Sequence, residues 1–270
     1  MSSADDGTTA IATEAGGIII AAVAPATTSI RRVIPWYSFR AIVSGDGLIL
    51  EAAGFPGPDP VLDQYLRQYD LRDASLTREF RYAGGGSVQT FLDFDLARSA
   101  SAIARSFIYP TLSTVTNLAG TSTTVMISTG HERPVLSTMG TRVAFGGGPV
   151  GGPVSTTIYN GARLTGSITG SAVLWMDDTR LVVSTTNSSG TFTGVVVVDE
   201  SGAILSRLPS GGRLVRVNAT RVLDVSTGNT LDAATGSVMR TSIVDRRVAA
   251  TSSGAVNVWQ SASDLVLEAP

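Results

Sequence analysis

The chain has 270 residues, 43% of them hydrophobic, and a mean hydropathy of +0.22, so it can bury a substantial core and does not have a disordered composition. Its net charge of -2 and pI near 5.4 argue against the positive patch that nucleic acid or an anionic membrane requires. It contains no cysteine and all twenty basic residues are arginine, which excludes disulfides, thiolate chemistry, lysine Schiff bases and the lysine of a phosphate loop.

The composition favours strands over helices. Aromatic residues make up only 6% of the chain, whereas glycine occurs 29 times and Ser, Thr, Val and Ala dominate the remainder. Many short strands joined by tight turns suit this composition better than long helices do. We therefore expect an all-β protein.

The first apolar run, Ile18 to Val23, is predicted to be a buried strand. Asp5, Asp6 and Glu14 precede it, whereas a signal peptide carries positive charge at that place. The run is also much shorter than the ~20 apolar residues that span a bilayer. We expect no signal peptide, no transmembrane segment and no membrane partner, and a location in the cytoplasm or in a virion.

Three segments are candidate contacts for a partner. Trp36 and Tyr37 follow a proline at a predicted strand start, where paired aromatic rings can either form a platform for a protein or sugar or fill the core. The proline-rich segment Phe55 to Pro60 and the glycine-rich segment Gly146 to Pro153 are longer than a tight hairpin needs. The candidate interface residues are Trp36, Tyr37, Phe55, Pro56, Pro58, Pro149 and Pro153.

Two regions lack a clear strand pattern. Val61 to Tyr69 is compatible with a short helix or with a strand. Asp95 to Asn117 is rich in Ala and Ser and shows no alternation of apolar and polar residues. The sheet expected there is therefore predicted to be degraded or replaced.

The stretch from Ser171 to Ser210 has the clearest pattern in the chain. Turn residues separate four short apolar runs, which are Ala172 to Met176, Arg180 to Ser184, Gly194 to Val198 and Ala203 to Leu208. This spacing predicts one antiparallel sheet of four strands between Ala172 and Leu208.

Two features of this unit recur along the chain. A small turn ends in an arginine that begins an apolar strand, at Arg142, Arg180, Arg221 and Arg247. An aromatic or aliphatic residue is followed by Asp, Asn or Gln and then by a turn, at Tyr69-Asp70, Phe94-Asp95, Tyr159-Asn160, Val198-Asp199, Leu231-Asp232 and Trp259-Gln260. The interleaved series indicate a repeated sheet of about 40 residues.

The segments Leu66 to Phe80 and Thr230 to Arg240 resemble the outer half of a β-propeller blade of the WD-repeat or quinoprotein-like kind. The resemblance covers about residues 36 to 268 and implies about seven (six to seven) four-stranded blades in a single domain of residues 1–270. Residues 1–34 would be an N-terminal arm whose strand pairs with Val256 to Leu267 and closes the ring. The alternatives are a β-sandwich pair and a mixed α+β domain followed by a β domain.

Few residue patterns indicate chemistry. His131 is the only histidine and lies in a polar turn, so neither a two-histidine metal site nor a serine triad is expected. Gly146 to Pro153 lacks the Lys-Ser/Thr end of a phosphate loop, and Asp177-Asp178 lacks the alternating oxygen ligands of a calcium loop. We expect no catalytic residue, no metal and no cofactor.

Two functions from different classes fit the sequence. The first is a non-enzymatic structural or interaction propeller that binds other proteins within a larger assembly. Its composition, free of lysine and cysteine and rich in Ser, Thr, Gly and Ala, is similar to that of phage tail proteins from GC-rich hosts. The second is a propeller that binds or cleaves carbohydrate, whose carboxylates would come from different blades. Nucleic acid is not expected as a partner in either case.

Overall fold

A computed structural model describes the strands named below and the turns between residues 132 and 241, apart from 148–153, 212–213 and 225. Side chains are described at 67–70, 75–79, 95, 97, 99, 101–106, 113–118, 133–146, 154–211, 214–224, 226–239 and 241. The chain divides into two compact units, Met1–Val88 with Val244–Pro270, and Gln89–Ile243. We call the second one the central unit. Within the described residues there is no helix with the length and apolar character of a membrane span.

The first unit contains three antiparallel sheets. One has the strands β1 (Ser2–Ser3), β2 (Thr8–Ala12), β3 (Ile18–Ala24) and β4 (Thr27–Ile34). The next has β5 (Arg40–Ser44), β6 (Gly47–Ala53), β7 (Gln64–Asp70) and β8 (Leu76–Tyr82). The last has three strands at the carboxyl end, β24 (Val248–Thr251), β25 (Gly254–Ser261) and β26 (Asp264–Glu268).

The central unit contains the other strands. Its first sheet has β9 (Thr90–Leu96), β10 (Ala102–Tyr109), β11 (Leu112–Asn117) and β12 (Thr123–Ser128). A seven-stranded sheet follows, with β13 (Glu132–Leu136), β14 (Arg142–Gly147), β15 (Ser155–Asn160), β16 (Arg163–Trp175), β17 (Leu181–Thr186), β18 (Phe192–Val198) and β19 (Ile204–Leu208). Its last sheet has β20 (Leu214–Arg216), β21 (Arg221–Asp224), β22 (Asn229–Asp232) and β23 (Val238–Thr241).

Strand β16 connects two four-stranded halves of the seven-stranded sheet. Its residues 163–169 pair with β15, and its residues 170–175 pair with β17. Gly170 lies at the change of partner with φ of 135°, and a Cβ there would be 2.3 Å from the carbonyl oxygen of Ser184. Only glycine fits this position. The last strand of one half therefore becomes the first strand of the next.

The core of the central unit lies between successive four-stranded layers. On β17, Leu181 and Val183 contact the layer of β13 to β16, whereas Val182 contacts the layer of β20 to β23. On β18, Val196 and Val198 face the first of these layers and Val195 and Val197 the second. Because both faces of these strands are buried, their sequences are continuous apolar runs instead of alternating ones.

Several sequence predictions are confirmed. The described elements are all strands, and Ala172 to Leu208 forms four antiparallel strands in the order β16, β17, β18 and β19. Val61 to Tyr69 leads into a strand, β7, so the short-helix alternative is wrong for residues 64–69. The buried aromatic Trp175 belongs to the core, as predicted, and its Nε1 donates to the carbonyl oxygen of Val135 at 2.9 Å.

The predicted degraded sheet at Asp95 to Asn117 is wrong. This region forms the end of β9 and the strands β10 and β11 within one antiparallel sheet, although the pairing of β10 with β9 shifts on either side of Phe107. Polar side chains are buried on both of its faces, for example Ser106, Ser113 and Thr116. Since both faces carry small polar residues, the sequence has no apolar alternation even though it forms strands of one sheet.

The predicted pairing of Ile18 to Val23 with Val256 to Leu267 is also wrong. Strand β3 is hydrogen-bonded to β2 along one edge and to β4 along the other, so neither edge is open to the carboxyl-terminal strands. Those strands form their own sheet. Residues 1–34 therefore contribute a sheet instead of a lone strand. The single domain of residues 1–270 and the number of seven blades stay predictions.

Candidate interaction surface

The residues predicted as an interface lie outside the described residues. Trp36 and Tyr37 fall between β4 and β5. Phe55, Pro56 and Pro58 fall between β6 and β7, and Pro149 and Pro153 between β14 and β15. The two proline-containing segments thus occupy the same place in their own sheets, the connection from the second strand to the third. His131 also lies outside the described residues.

One set of turns in the central unit is tied together by hydrogen bonds. These are the turns between the first and second strands of successive layers, at residues 97–101, 137–141, 176–180 and 217–220, here called the first turns. Ser101 Oγ donates to the carbonyl oxygen of Met139 at 2.7 Å, and the amide of Met139 donates to Asp178 Oδ1 at 2.9 Å. Arg180 Nη2 donates to the carbonyl oxygen of Ala219 at 2.9 Å. Each layer is thereby fixed to the next.

Asp177 stabilises its own first turn. Its Oδ1 accepts hydrogen bonds from the amide and hydroxyl of Thr179, and its Oδ2 accepts two from the guanidinium of Arg180. Burial raises the pKa of Asp177, but the hydrogen bonds from Arg180 and Thr179 outweigh it and hold the pKa below its usual value. Asp177 and Asp178 lie in the connection between β16 and β17, where a turn was predicted, and both oxygens of Asp177 accept hydrogen bonds from protein donors.

At four of its six places, the second repeated feature of the sequence marks the end of the third strand of a sheet. Tyr69-Asp70, Tyr159-Asn160 and Leu231-Asp232 end β7, β15 and β22, and Val198 ends β18 directly before Asp199. Phe94-Asp95 is different because it lies on β9, a first strand. Asp95 Oδ2 accepts a hydrogen bond from the amide of Leu136 at 2.8 Å.

A β-bulge recurs opposite these residues, at the start of four of the fourth strands, β8, β16, β19 and β23. The pairing shifts between Gln68 and Tyr69, Ile158 and Tyr159, Val197 and Val198, and Thr230 and Leu231. In each case the register skips one residue of the fourth strand, so two residues of that strand stand where the third strand has one. The bulge pairs are Leu76-Thr77, Leu164-Thr165, Ile204-Leu205 and Val238-Met239.

Two of these bulges expose adjacent apolar side chains. The exposed fractions are 49% for Ile204, 53% for Leu205, 50% for Val238 and 48% for Met239. We call these four residues the outer ridge. The outer ridge was not among the predicted contacts, although both pairs follow an Asp-containing turn with glycine, Asp199 to Gly202 and Asp232 to Gly236. An apolar pair shortly after such a turn is the sequence feature that could have indicated the ridge.

The charged groups beside the outer ridge differ in whether they already have a partner. The side chain of Arg207 on β19 is exposed, and its guanidinium makes no hydrogen bond or ion pair within the described part of the chain. The neighbouring carboxylates are already engaged. Asp199 and Asp232 each accept hydrogen bonds from their own turns, and Glu200 pairs with Arg142 at 2.5 Å. The ridge therefore presents apolar groups and an available cation.

The turn carboxylates next to the ridge are held ionised. The hydroxyl of Ser201 is the main cause that lowers the pKa of Asp199, and the amide of Thr235 is the main cause that lowers the pKa of Asp232. Burial raises the pKa of Asp224, but hydrogen bonds from Ser226 and Ser210 outweigh it. These aspartates serve the turns, and no group of three His, Cys, Asp or Glu able to hold a metal occurs among the described residues.

Three solved structures, one of them a β-propeller domain, are similar to this chain. The β-propeller domain of Cps50 (Swd1) from Myceliophteria thermophila has a TM-score of 0.53 and 11% identity, over 86% of this chain and 81% of that one. A functionally unknown protein from Desulfotomaculum acetoxidans has a TM-score of 0.51 and 9% identity, over 88% and 83% of the two chains. A eukaryotic initiation factor has a TM-score of 0.50 and 13% identity, over 96% and 80%.

This likeness shows the fold, which is of β-propeller type, and supports that part of the predicted resemblance. No protein-family model and no curated protein sequence matches the chain. The similarity to phage tail proteins stays a prediction.

Proposed function

We propose that this protein is a non-enzymatic interaction propeller that binds another protein. The outer ridge is the observation that supports the proposal most. Its four large apolar side chains lie next to one another in pairs and are about half exposed. Contiguous exposed apolar surface on a folded protein marks an interaction site more often than isolated apolar residues do.

The scaffold behind the ridge suits this role. The hydrogen bonds between the first turns and the apolar clusters between layers hold the strands of the central unit in place. A surface whose backbone is already ordered loses less conformational entropy when a partner binds. Binding sites in many folds lie on variable surface elements positioned by such a scaffold.

We place the protein in a larger assembly, with a phage tail or other virion component as the favoured setting and the host cytoplasm as the other. The composition without lysine and cysteine, rich in Ser, Thr, Gly and Ala, supports this setting. The segments Phe55 to Pro60 and Gly146 to Pro153, with Trp36 and Tyr37, are proposed as additional contacts.

A glycan array and sugar-release assays with the purified full chain test the proposal against a carbohydrate function. The proposal predicts no binding to any glycan and no release of sugar. It also predicts that the products of neighbouring genes form a complex with the protein, seen as a larger mass by light scattering. A monomer that binds or cleaves one defined sugar would overturn it.

A further inference from the structure

We propose that the outer ridge binds an extended protein segment in which apolar residues stand next to carboxylates. This inference rests on the proposed function and specifies the partner of that surface. Its basis is a comparison of the four bulges within this one chain, together with the charges beside two of them.

The bulges in β8 and β16 show what the structure itself requires at the second bulge position. Thr77 Oγ1 donates to the carbonyl oxygen of Gln68 at 2.9 Å, and Thr165 Oγ1 donates to that of Ile158 at 3.1 Å. Both hydroxyl groups thereby bond back to the third strand across the irregular pair. A threonine at the second bulge position thus completes the bulge, in the sense that its hydroxyl supplies a hydrogen bond to the third strand.

The equivalent residues in β19 and β23 are Leu205 and Met239. Neither side chain can donate a hydrogen bond to the opposite strand, and each is about half exposed. The bulge also directs the preceding residue outward, so Ile204 and Val238 are exposed beside them. The first bulge position is apolar and exposed in all four bulges, at Leu76, Leu164, Ile204 and Val238. Leu205 and Met239 are the residues that do not complete the bulge, and burial against a partner gives them a role that the fold does not.

The two halves of the ridge belong to layers in direct contact. Ser206 Oγ donates to the carbonyl oxygen of Ala233 at 2.5 Å. A Cβ at Gly236 would be 2.2 Å from the carbonyl oxygen of Arg207. The turn that precedes Val238 therefore packs on β19, so one segment can reach both apolar pairs.

The unpaired guanidinium of Arg207 selects the chemistry of that segment. Arg207 lies two residues after Leu205 and has no acidic partner within the described residues. The nearby carboxylates of Asp199, Asp232 and Glu200 are engaged in turns or with Arg142. An incoming carboxylate can pair with Arg207 without competing with these contacts.

The segment is expected to bind by its side chains instead of adding a strand. Strands β19 and β23 are edge strands of their sheets. An edge strand accepts another strand only if its own hydrogen-bonding ladder is regular. The bulge interrupts the ladder at the ridge and twists the edge. Apolar anchors and one salt bridge then provide the affinity.

Selection from a library of random twelve-residue peptides displayed on a surface, against the immobilised full chain, tests this inference. We expect enriched peptides to combine aromatic or aliphatic residues with Asp or Glu. The double variant Leu205→Thr with Met239→Thr should weaken their binding about tenfold or more, because central apolar anchors dominate such contacts. Arg207→Glu should weaken it as well and remove its dependence on salt.

Two matched controls isolate the ridge. Phe192→Thr removes a similarly exposed apolar side chain at the opposite end of the same strand pair, and Arg133→Glu reverses an exposed arginine on β13. Both should leave peptide binding unchanged. If the enriched peptides bind the double variant as tightly as the native chain, the ridge is not their binding site. The proposed protein-binding function would still stand in that case. A library without any enrichment would overturn the extended-segment partner, whereas binding to a defined glycan would overturn the proposed function itself.

Discussion

Asp178 accepts a hydrogen bond from the amide of Met139 at 2.9 Å, across 39 residues of sequence. The contact joins the first turns of two successive layers, and Thr141 Oγ1 approaches the same carboxylate oxygen at 3.4 Å. This pair shows how the repeat stabilises the central unit. A residue in one turn caps the backbone of the turn one repeat earlier.

Replacing Asp178 tests this contact. Asp178→Ala should lower the free energy of unfolding by about 1 kcal/mol, because the amide of Met139 loses an acceptor that water replaces only in part. Urea denaturation of the purified chain measures the effect. Asp178→Asn keeps an oxygen acceptor and should lose less. Equal stability of Asp178→Ala and the native chain would mean that the turns are not coupled through this residue.

A second prediction concerns glycine in the turn between β22 and β23. Gly236 has φ of 73°, and a Cβ there would be 2.2 Å from the carbonyl oxygen of Arg207. Gly190 has a similar φ of 79° with no neighbour within 4 Å. Gly190→Ala should therefore cost only the backbone strain of about 1 kcal/mol.

Gly236→Ala should lower the free energy of unfolding by ~1 to 3 kcal/mol more than Gly190→Ala does, since two layers must separate to admit the methyl group. The difference between the two variants in chemical denaturation isolates the contact between layers. Similar losses for both variants would contradict the close packing of this turn on β19.

The ridge variants also make a prediction about stability. Leu205→Thr and Met239→Thr should change the free energy of unfolding by no more than about 0.5 kcal/mol each, because the lost side chains are half exposed. Each new hydroxyl can donate to the third strand, as Thr77 and Thr165 do. Thermal unfolding checks this. A large loss of stability would show that the ridge belongs to the structural core.

Acid should destabilise the central unit. The pKa values of Asp177, Asp199, Asp224 and Asp232 all lie below the usual value in the folded chain. In the unfolded chain an aspartate has a pKa of about 3.9. The unfolded chain thus binds more protons as the pH falls, so stability is constant with respect to these groups above about pH 5 and is lost as the pH falls through the folded pKa values.

Melting temperatures between about pH 7 and pH 2.5 measure this loss. Asp177→Asn should be less stable than the native chain near neutral pH and should show a smaller decrease in acid. A native melting temperature that does not change in acid would contradict the role assigned to the turn aspartates.

The repeated strands could be predicted from sequence because their physical cause is local. Apolar runs such as Leu181 to Val183 and turn residues such as Asp199 to Gly202 carry their own signal. Arg142 and Arg221 begin β14 and β21, and Arg180 directly precedes β17, so these arginines correctly indicated where second strands start. The buried sheet at Asp95 to Asn117 was missed because its core-facing residues include small polar ones, whose burial depends on neighbours distant in sequence.

The outer ridge could not be predicted for a related reason. Leu205 and Met239 look like ordinary strand residues in the sequence, and only the pairing register shows that they occupy bulges where Thr77 and Thr165 stand elsewhere. The hydrogen bond from Met139 to Asp178 likewise depends on the packing of layers. The predicted contacts at Trp36, Phe55 and Pro149 stay predictions.

Hydrogen exchange of the full chain, alone and in complex with a partner from a neighbouring gene, tests the central claim most directly. The claim is that the protein binds another protein through the outer strands of its central unit. It predicts that amides at 204–207 and 238–241 exchange more slowly in the complex, while those of the first turns at 137–141 and 176–180 are unchanged. Slower exchange confined to the first turns, or no change at the ridge, would contradict the claim.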